Sequence, residues 1–236
     1  MLTALQQLYK QRVALVAALL LHGLLATAQS PETQALLTDL QERYSNLEDF
    51  SADMEVAVFG SDDAKEPFMV ETTHVRKAGP EFLYKSERYD MLYKERSVLL
   101  VDHASKQIVR QQHAKQKAKQ PAELPDPTAM LQNVDSVTQR TEPNGDQTLV
   151  VYNHDSPIQI SYWYLNSEGW IEAVHYYYNK ELFPETPKVE ITYNNLDTSP
   201  SFASDLFAES AYVQRHGKQL QPQARYQHYQ IMTPYE

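Results

Sequence analysis

Phe50-Ser51-Ala52-Asp53-Met54-Glu55-Val56-Ala57-Val58-Phe59 decides the fold class. Phe50, Ala52, Met54, Val56 and Val58 alternate with Ser51, Asp53, Glu55 and Ala57. A period of two puts successive side chains on opposite faces of a strand. The even positions predict an inward face. The odd ones predict a half-wet strand of an antiparallel sheet. Just upstream the period changes. Leu36, Leu37, Leu40, Tyr44 and Leu47 recur at helical spacing, with Asp39, Glu42, Arg43 and Asn46 on the other side. Ser30-Pro31-Glu32 supplies a capping hydroxyl, a proline suited to the first helical position and an acid for the positive end of the dipole. An amphipathic helix is predicted over 31–48, and its apolar stripe must pack on something.

Downstream the chain breaks into short strand-like segments: 68–77, 82–86, 89–93, 97–102, 107–111, 136–141, 147–152, 158–165, 170–178 and 188–196. Turn chemistry separates them, at Gly60-Ser61-Asp62-Asp63, Ala78-Gly79-Pro80-Glu81, Pro143-Asn144-Gly145-Asp146 and Asn166-Ser167-Glu168-Gly169. Residues 112–127 interrupt the pattern with Lys115, Lys117 and Lys119, then Pro121, Pro125 and Pro127. Asp126-Pro127 predicts a short helix holding Met130 and Leu131. Tyr212, Val213 and residues 226–232 predict two further edge strands around Gly217. The sum is a mainly β (α+β) domain of about ten antiparallel strands. A sheet that large must curl. With so little helix to fill the hollow, a cavity or groove is expected.

Lys10 and Arg12 are the only charges before residue 32 and precede an apolar run over 13–25 that ends at Ala26-Thr27-Ala28. A basic flank, a short apolar run and a small-x-small triplet predict a cleavable secretory signal over 1–28. The run is too short to span a membrane. Cleavage shortens the 236-residue chain to 208 and moves its net charge from −10 to −12, because two basic and no acidic residues leave. Residues 29–236 then form one domain, with an extended tail over about 208–236. Export to a bacterial periplasm fits the absence of cysteine.

Zero cysteines exclude disulfides, thiolate metal sites and a lipidated N-terminal cysteine. The acidic balance excludes nucleic acid as the main partner. No nucleophile elbow, phosphate-binding loop or zinc-binding helix motif is present. The histidines have no metal-pair spacing, so neither catalysis, a metal nor a cofactor is expected. His154-Asp155 reads as a turn. Lys106, Arg110, His113, Lys115, Lys117 and Lys119 form a basic patch with two readings, a solvated loop or a dock for an acidic partner or anionic headgroups. Tyr162, Trp163, Tyr164, Trp170, Tyr176, Tyr177 and Tyr178 form an aromatic hairpin whose members alternate between core and contact surface.

The order of these elements resembles the periplasmic lipoprotein carriers, the LolA/LolB-like family, over about 32–207. The residues are the helix at 36–47, Phe50-Ser51-Ala52-Asp53-Met54, Val75-Arg76-Lys77, Phe82-Leu83-Tyr84, Asp126-Pro127 through Leu131, and Asp205-Leu206-Phe207. The resemblance implies an unclosed, strongly curled β-barrel lidded by the N-terminal and mid-chain helices. It implies a carrier that binds lipoprotein acyl chains or lipid and moves between an inner-membrane release complex and an outer-membrane acceptor. The family's lid-latching arginine falls on Arg76 or Lys77. The outer-membrane receptor of the family carries a lipidated cysteine, which this chain lacks, so the soluble carrier, expected as a monomer, is favoured. The residues expected to line the apolar cavity are Phe50, Met54, Val56, Phe82, Tyr84, Leu99, Val101, Met130, Leu131, Ile160 and Tyr162. The alternative is a non-catalytic envelope accessory protein on the same fold, with a cavity filled by its own side chains.

Overall fold

The computed structural model describes residues 30–112, 134–217 and 219–232. The expected signal segment, the helix holding Met130 and Leu131, and His113, Lys115, Lys117 and Lys119 of the basic patch lie outside them.

Helix α1 (Pro31–Ser45) starts as its sequence dictates. Ser30 is the N-cap and its hydroxyl accepts from the Thr33 amide. The chain then enters a meander: β1 (Asp49–Phe59), β2 (Met69–Ala78), β3 (Glu81–Ser86), β4 (Tyr89–Lys94), β5 (Ser97–Asp102) and β6 (Gln107–Gln112). A second meander follows: β7 (Ser136–Thr141), β8 (Gln147–Tyr152), β9 (Ile158–Leu165), β10 (Ile171–Tyr178) and β11 (Lys188–Asp197). The tail adds a hairpin, β12 (Val213–His216) and β13 (Gln219–Pro222), and a last strand β14 (Gln230–Met232).

Among the described residues, twelve strands make one curled, unclosed sheet in the order β14-β6-β5-β4-β3-β2-β1-β11-β10-β9-β8-β7. This exceeds the expected ten. The tail also divides differently from expectation. Only β14 joins an edge, pairing in parallel with β6, while the hairpin around Gly217 is a separate two-stranded sheet.

Pairing register sorts the side chains onto two faces. On one face, Leu37 and Leu40 of α1 pack with Val137, Leu149, Val151, Trp163, Leu165, Val174 and Tyr176. Leu40 is 0% exposed and Trp163 1%; each such burial stabilises by about 1.5–3 kcal/mol. The Arg43 guanidinium donates to the Glu168 carbonyl and sits over Trp170, and the Ile171 amide donates to the Tyr44 hydroxyl. The helix therefore packs on the second meander.

On the other face, Leu83, Leu92, Leu99, Val101 and Ile108 pack with Phe207, Tyr212, Val213 and Tyr226 of the tail. Glu209 receives Arg110 Nε at 2.8 Å and the Ser97 hydroxyl. Burial alone would raise the Glu209 carboxyl, but those donors outweigh it and the pKa falls. Lys94 Nζ reaches the Phe207 carbonyl, and His103 bridges Asp90 and Tyr229. The tail thus covers the first meander, on the face opposite the helix. Arg110, expected in a free basic patch, is consumed by this contact.

Candidate functional site

The helix-bearing face continues across the first meander as a cross-strand row. Ala52 lies opposite Val75, Val75 opposite Tyr84, Tyr84 opposite Met91, Met91 opposite Leu100 and Leu100 opposite Val109. A second row runs beside it through Phe50, Lys77, Phe82, Tyr93 and Val98. Six strands spaced by ~4.8 Å give the first row a span of about 24 Å. Ala52, Val75 and Phe50 are buried, packed by Leu47 and Leu196. Phe82, Tyr84, Met91, Tyr93, Val98, Leu100 and Val109 are only half-buried. Thr73 is 0% exposed, and its hydroxyl donates to the Tyr84 hydroxyl at 3.1 Å. Apart from Lys77 the two rows are apolar, and Met54 opposite Tyr193 links them to the helix-packed core.

The expected site residues divide between the faces. Phe50, Met54, Val56, Phe82 and Tyr84 share the helix-bearing face. Leu99 and Val101 do not join them. Their neighbours in register are Leu92, Asp90, Arg110 and Ile108, and they lie under the tail at 1% and 0% exposure. The physical reason is that β5 is apolar on both sides, so alternation cannot choose its inward face. Ile160 and Tyr162 also face away from the helix, because Ser161, Trp163 and Leu165 take the core positions. Met130 and Leu131 lie outside the described residues.

Met91, Tyr93, Val98, Leu100 and Val109 went unassigned by sequence reasoning. The signal for the first four was present. Three successive two-residue hairpin loops, Gly79-Pro80, Glu87-Arg88 and Glu95-Arg96, fix register from β2 to β5. Counting from Val75 through those loops reaches Leu100.

The two latch candidates act differently. Arg76 turns to the tail-bearing side, where its guanidinium donates to the Ala52 and Val75 carbonyls and to Asp53 at 3.2 Å. Lys77 projects on the helix side and its Nζ donates to the Leu47 carbonyl, just beyond α1. Burial lowers the Lys77 pKa, against the pull of Asp49 and Glu48. Of the two candidates, Lys77 is the one that ties the helix exit to the sheet. His154 bonds Asp135, not its neighbour Asp155. Among the described residues no three His, Cys, Asp or Glu side chains are grouped to hold a metal. Among them too, no helix is long and apolar enough to cross a membrane.

No family model and no curated protein matches the chain. Solved structures do. An uncharacterized conserved protein from Thermus thermophilus matches with a TM-score of 0.48 and 9% identity, covering 86% of this chain and 99% of its own. LprF from Mycobacterium bovis matches with a TM-score of 0.43 and 13% identity, covering 75% and 98%. A LolA superfamily protein from Nitrosomonas europaea matches with a TM-score of 0.34 and 10% identity, covering 75% and 98%.

Proposed function

We propose that the protein is a non-catalytic periplasmic carrier that shields acyl chains of lipids or lipoproteins on the helix-bearing face of its sheet. The observation that carries this reading is the half-buried row Tyr84-Met91-Leu100-Val109, continuous with buried Ala52 and Val75. An acyl chain gains about 0.8 kcal/mol per buried CH₂, so a C16 chain gains roughly 13 kcal/mol gross before ordering costs. Phe50, Met54, Val56, Phe82 and Tyr84 contribute to the same wall. Lys77 serves as the latch between sheet and helix exit. Release at the inner membrane and delivery at the outer membrane complete the carrier role.

The test is lipid retention by purified protein. Native mass spectrometry of Met54→Glu and Leu100→Glu proteins should find no co-purified lipid, while circular dichroism reports a retained fold. Undiminished lipid in folded variants refutes the reading. Lipid absent from the wild-type protein as well favours the accessory protein with a self-filled hollow.

A further inference from the structure

The tail covers one half of the face turned away from α1. The other half, over β8–β11, has no layer on it among the described residues. There the registers bring Tyr164, Ala173 and Thr192 into one row and Tyr162, His175 and Glu190 into the next. Tyr177 lies beyond, edge-on to Tyr162 at 5.6 Å. A broad open depression of about 540 Å³ sits in this surface, lined by Tyr164, Glu172, Ala173, His175, Thr192 and Asn194 among others.

Two irregularities frame it. A β-bulge in β10 between Ile171 and Ala173 turns out Glu172. A second, where β11 meets β1 beyond Asn194, puts Asn195 at φ 53°. Bulges re-aim side chains that a regular ladder would hold flat. Ala173 adds to the effect, because its small side chain leaves the Tyr164 ring standing as a wall. His175 packs on that ring at 4.8 Å.

The lining restricts what fits. It holds a carboxylate, an amide, a hydroxyl and an imidazole beside one aromatic face. It contains no lysine or arginine; Lys188, two residues along β11 from Glu190, is held by Glu190 at 2.6 Å, and Arg76 is held by Asp53, the register partner of Asn194, at 3.2 Å. Burial lowers the His175 pKa, with Lys188 acting the same way and Glu190 opposing, which favours the neutral ring. A phosphate or carboxylate ligand would meet the Glu172 carboxylate with no lysine or arginine in the lining to receive it. An acyl chain would cover Glu172, Thr192 and Asn194 without offering any of them a hydrogen bond. A neutral molecule with many hydroxyls and one C–H face matches both halves of the lining. Its hydroxyls bond Glu172, Asn194 and Thr192, and its C–H face stacks on Tyr164. We infer that this depression is a saccharide-binding site for a neutral pyranose unit of a glycan, with Tyr162 and Tyr177 extending the platform toward a second unit.

Chitotriose and maltotriose serve as probes with the full mature protein, in saturation-transfer NMR and calorimetry. Saturable binding of one of them is expected. Glu172→Ala changes an exposed residue and leaves the fold alone, and Tyr164→Ala removes the ring. Each should weaken binding about tenfold or more, the size of one lost charged hydrogen bond or aromatic contact. Tyr164→Phe, which keeps the ring, should retain binding. Acyl uptake on the opposite face should be unchanged in all three. No saturable binding of either sugar overturns the site, as does binding that survives both Glu172→Ala and Tyr164→Ala.

Discussion

Leu99 and Leu100 are chain neighbours that point to opposite faces of β5, and truncating each should produce different losses. Leu99 is 1% exposed, between the sheet and the tail. Leu99→Ala removes buried methyls from a filled layer and should cost about 2–5 kcal/mol. That is a large share of a typical total of about 5–15 kcal/mol. At about 2–4 °C per kcal/mol for a chain of this size, the melting temperature should fall by about 4–20 °C. Leu100 is already half in water, so Leu100→Ala should cost less than about 1.5 kcal/mol in stability. Its loss should instead appear in acyl binding, where two or three missing CH₂ contacts weaken affinity by roughly 10- to 50-fold. Urea melts give the first quantity and displacement of a fluorescent fatty acid gives the second. If Leu99→Ala weakens acyl binding while Leu100→Ala only destabilises, the face assignment is wrong. Equal stability costs at both positions would contradict it too.

Other expectations follow from the contacts. Gly169 lies at φ +82°, and a Cβ there would stand 3.4 Å from the Arg43 guanidinium. Gly169→Ala should therefore destabilise by about 1–2 kcal/mol in thermal melts and loosen α1, seen as faster amide exchange over 36–44. Glu209→Gln removes the charge that holds Arg110, so limited proteolysis should cut the tail before the sheet. Asp53 is held by His74, Asn195 and Arg76, which together bring its pKa from 3.8 to about 2. A depressed carboxyl stabilises above its unfolded value and loses that stabilisation as pH falls through the folded one. Urea midpoints should thus drop more steeply between about pH 4 and 2 for the wild type than for Asp53→Asn. Lys77→Met keeps the stem but removes the bond to the Leu47 carbonyl, and faster lipid exchange at unchanged melting temperature is the expected result.

Where the sequence alternates cleanly, it is enough. Phe50 to Val58 declared their faces, Ser30-Pro31 declared the helix start, and Gly145 and Gly169 marked turns. It fails where both faces of a strand are apolar. In β5 the run Val98-Leu99-Leu100-Val101 offers two equally good inward sets. What selects one is a tail that arrives more than a hundred residues later and covers Leu99 and Val101. The aromatic run at 162–164 poses the same problem, because Tyr162 and Trp163 are both plausible core residues by type. The indole donates to the Ser161 hydroxyl at 2.8 Å and takes the interior. Arg110 was legible as a charge but not as a partner of Glu209, since nothing local links residues 99 positions apart.

The sheet order carries a consequence for how the chain folds. Strands β1–β6 and β7–β11 are two runs of neighbour-to-neighbour hairpins, and each closes only short loops. The seam between them is β1 against β11, where Met54 lies opposite Tyr193. Such closure costs chain entropy before any contact offsets it. The two runs should form early and independently, and their joining should set the overall folding rate. Mutations along the seam, at Val56 or Ile191, should slow folding, whereas changes in the outer hairpins should mainly speed unfolding. The rows proposed to bind acyl chains lie in one of these units and the helix packs on the other. Rows and helix therefore come onto one continuous face only when the slow step is complete.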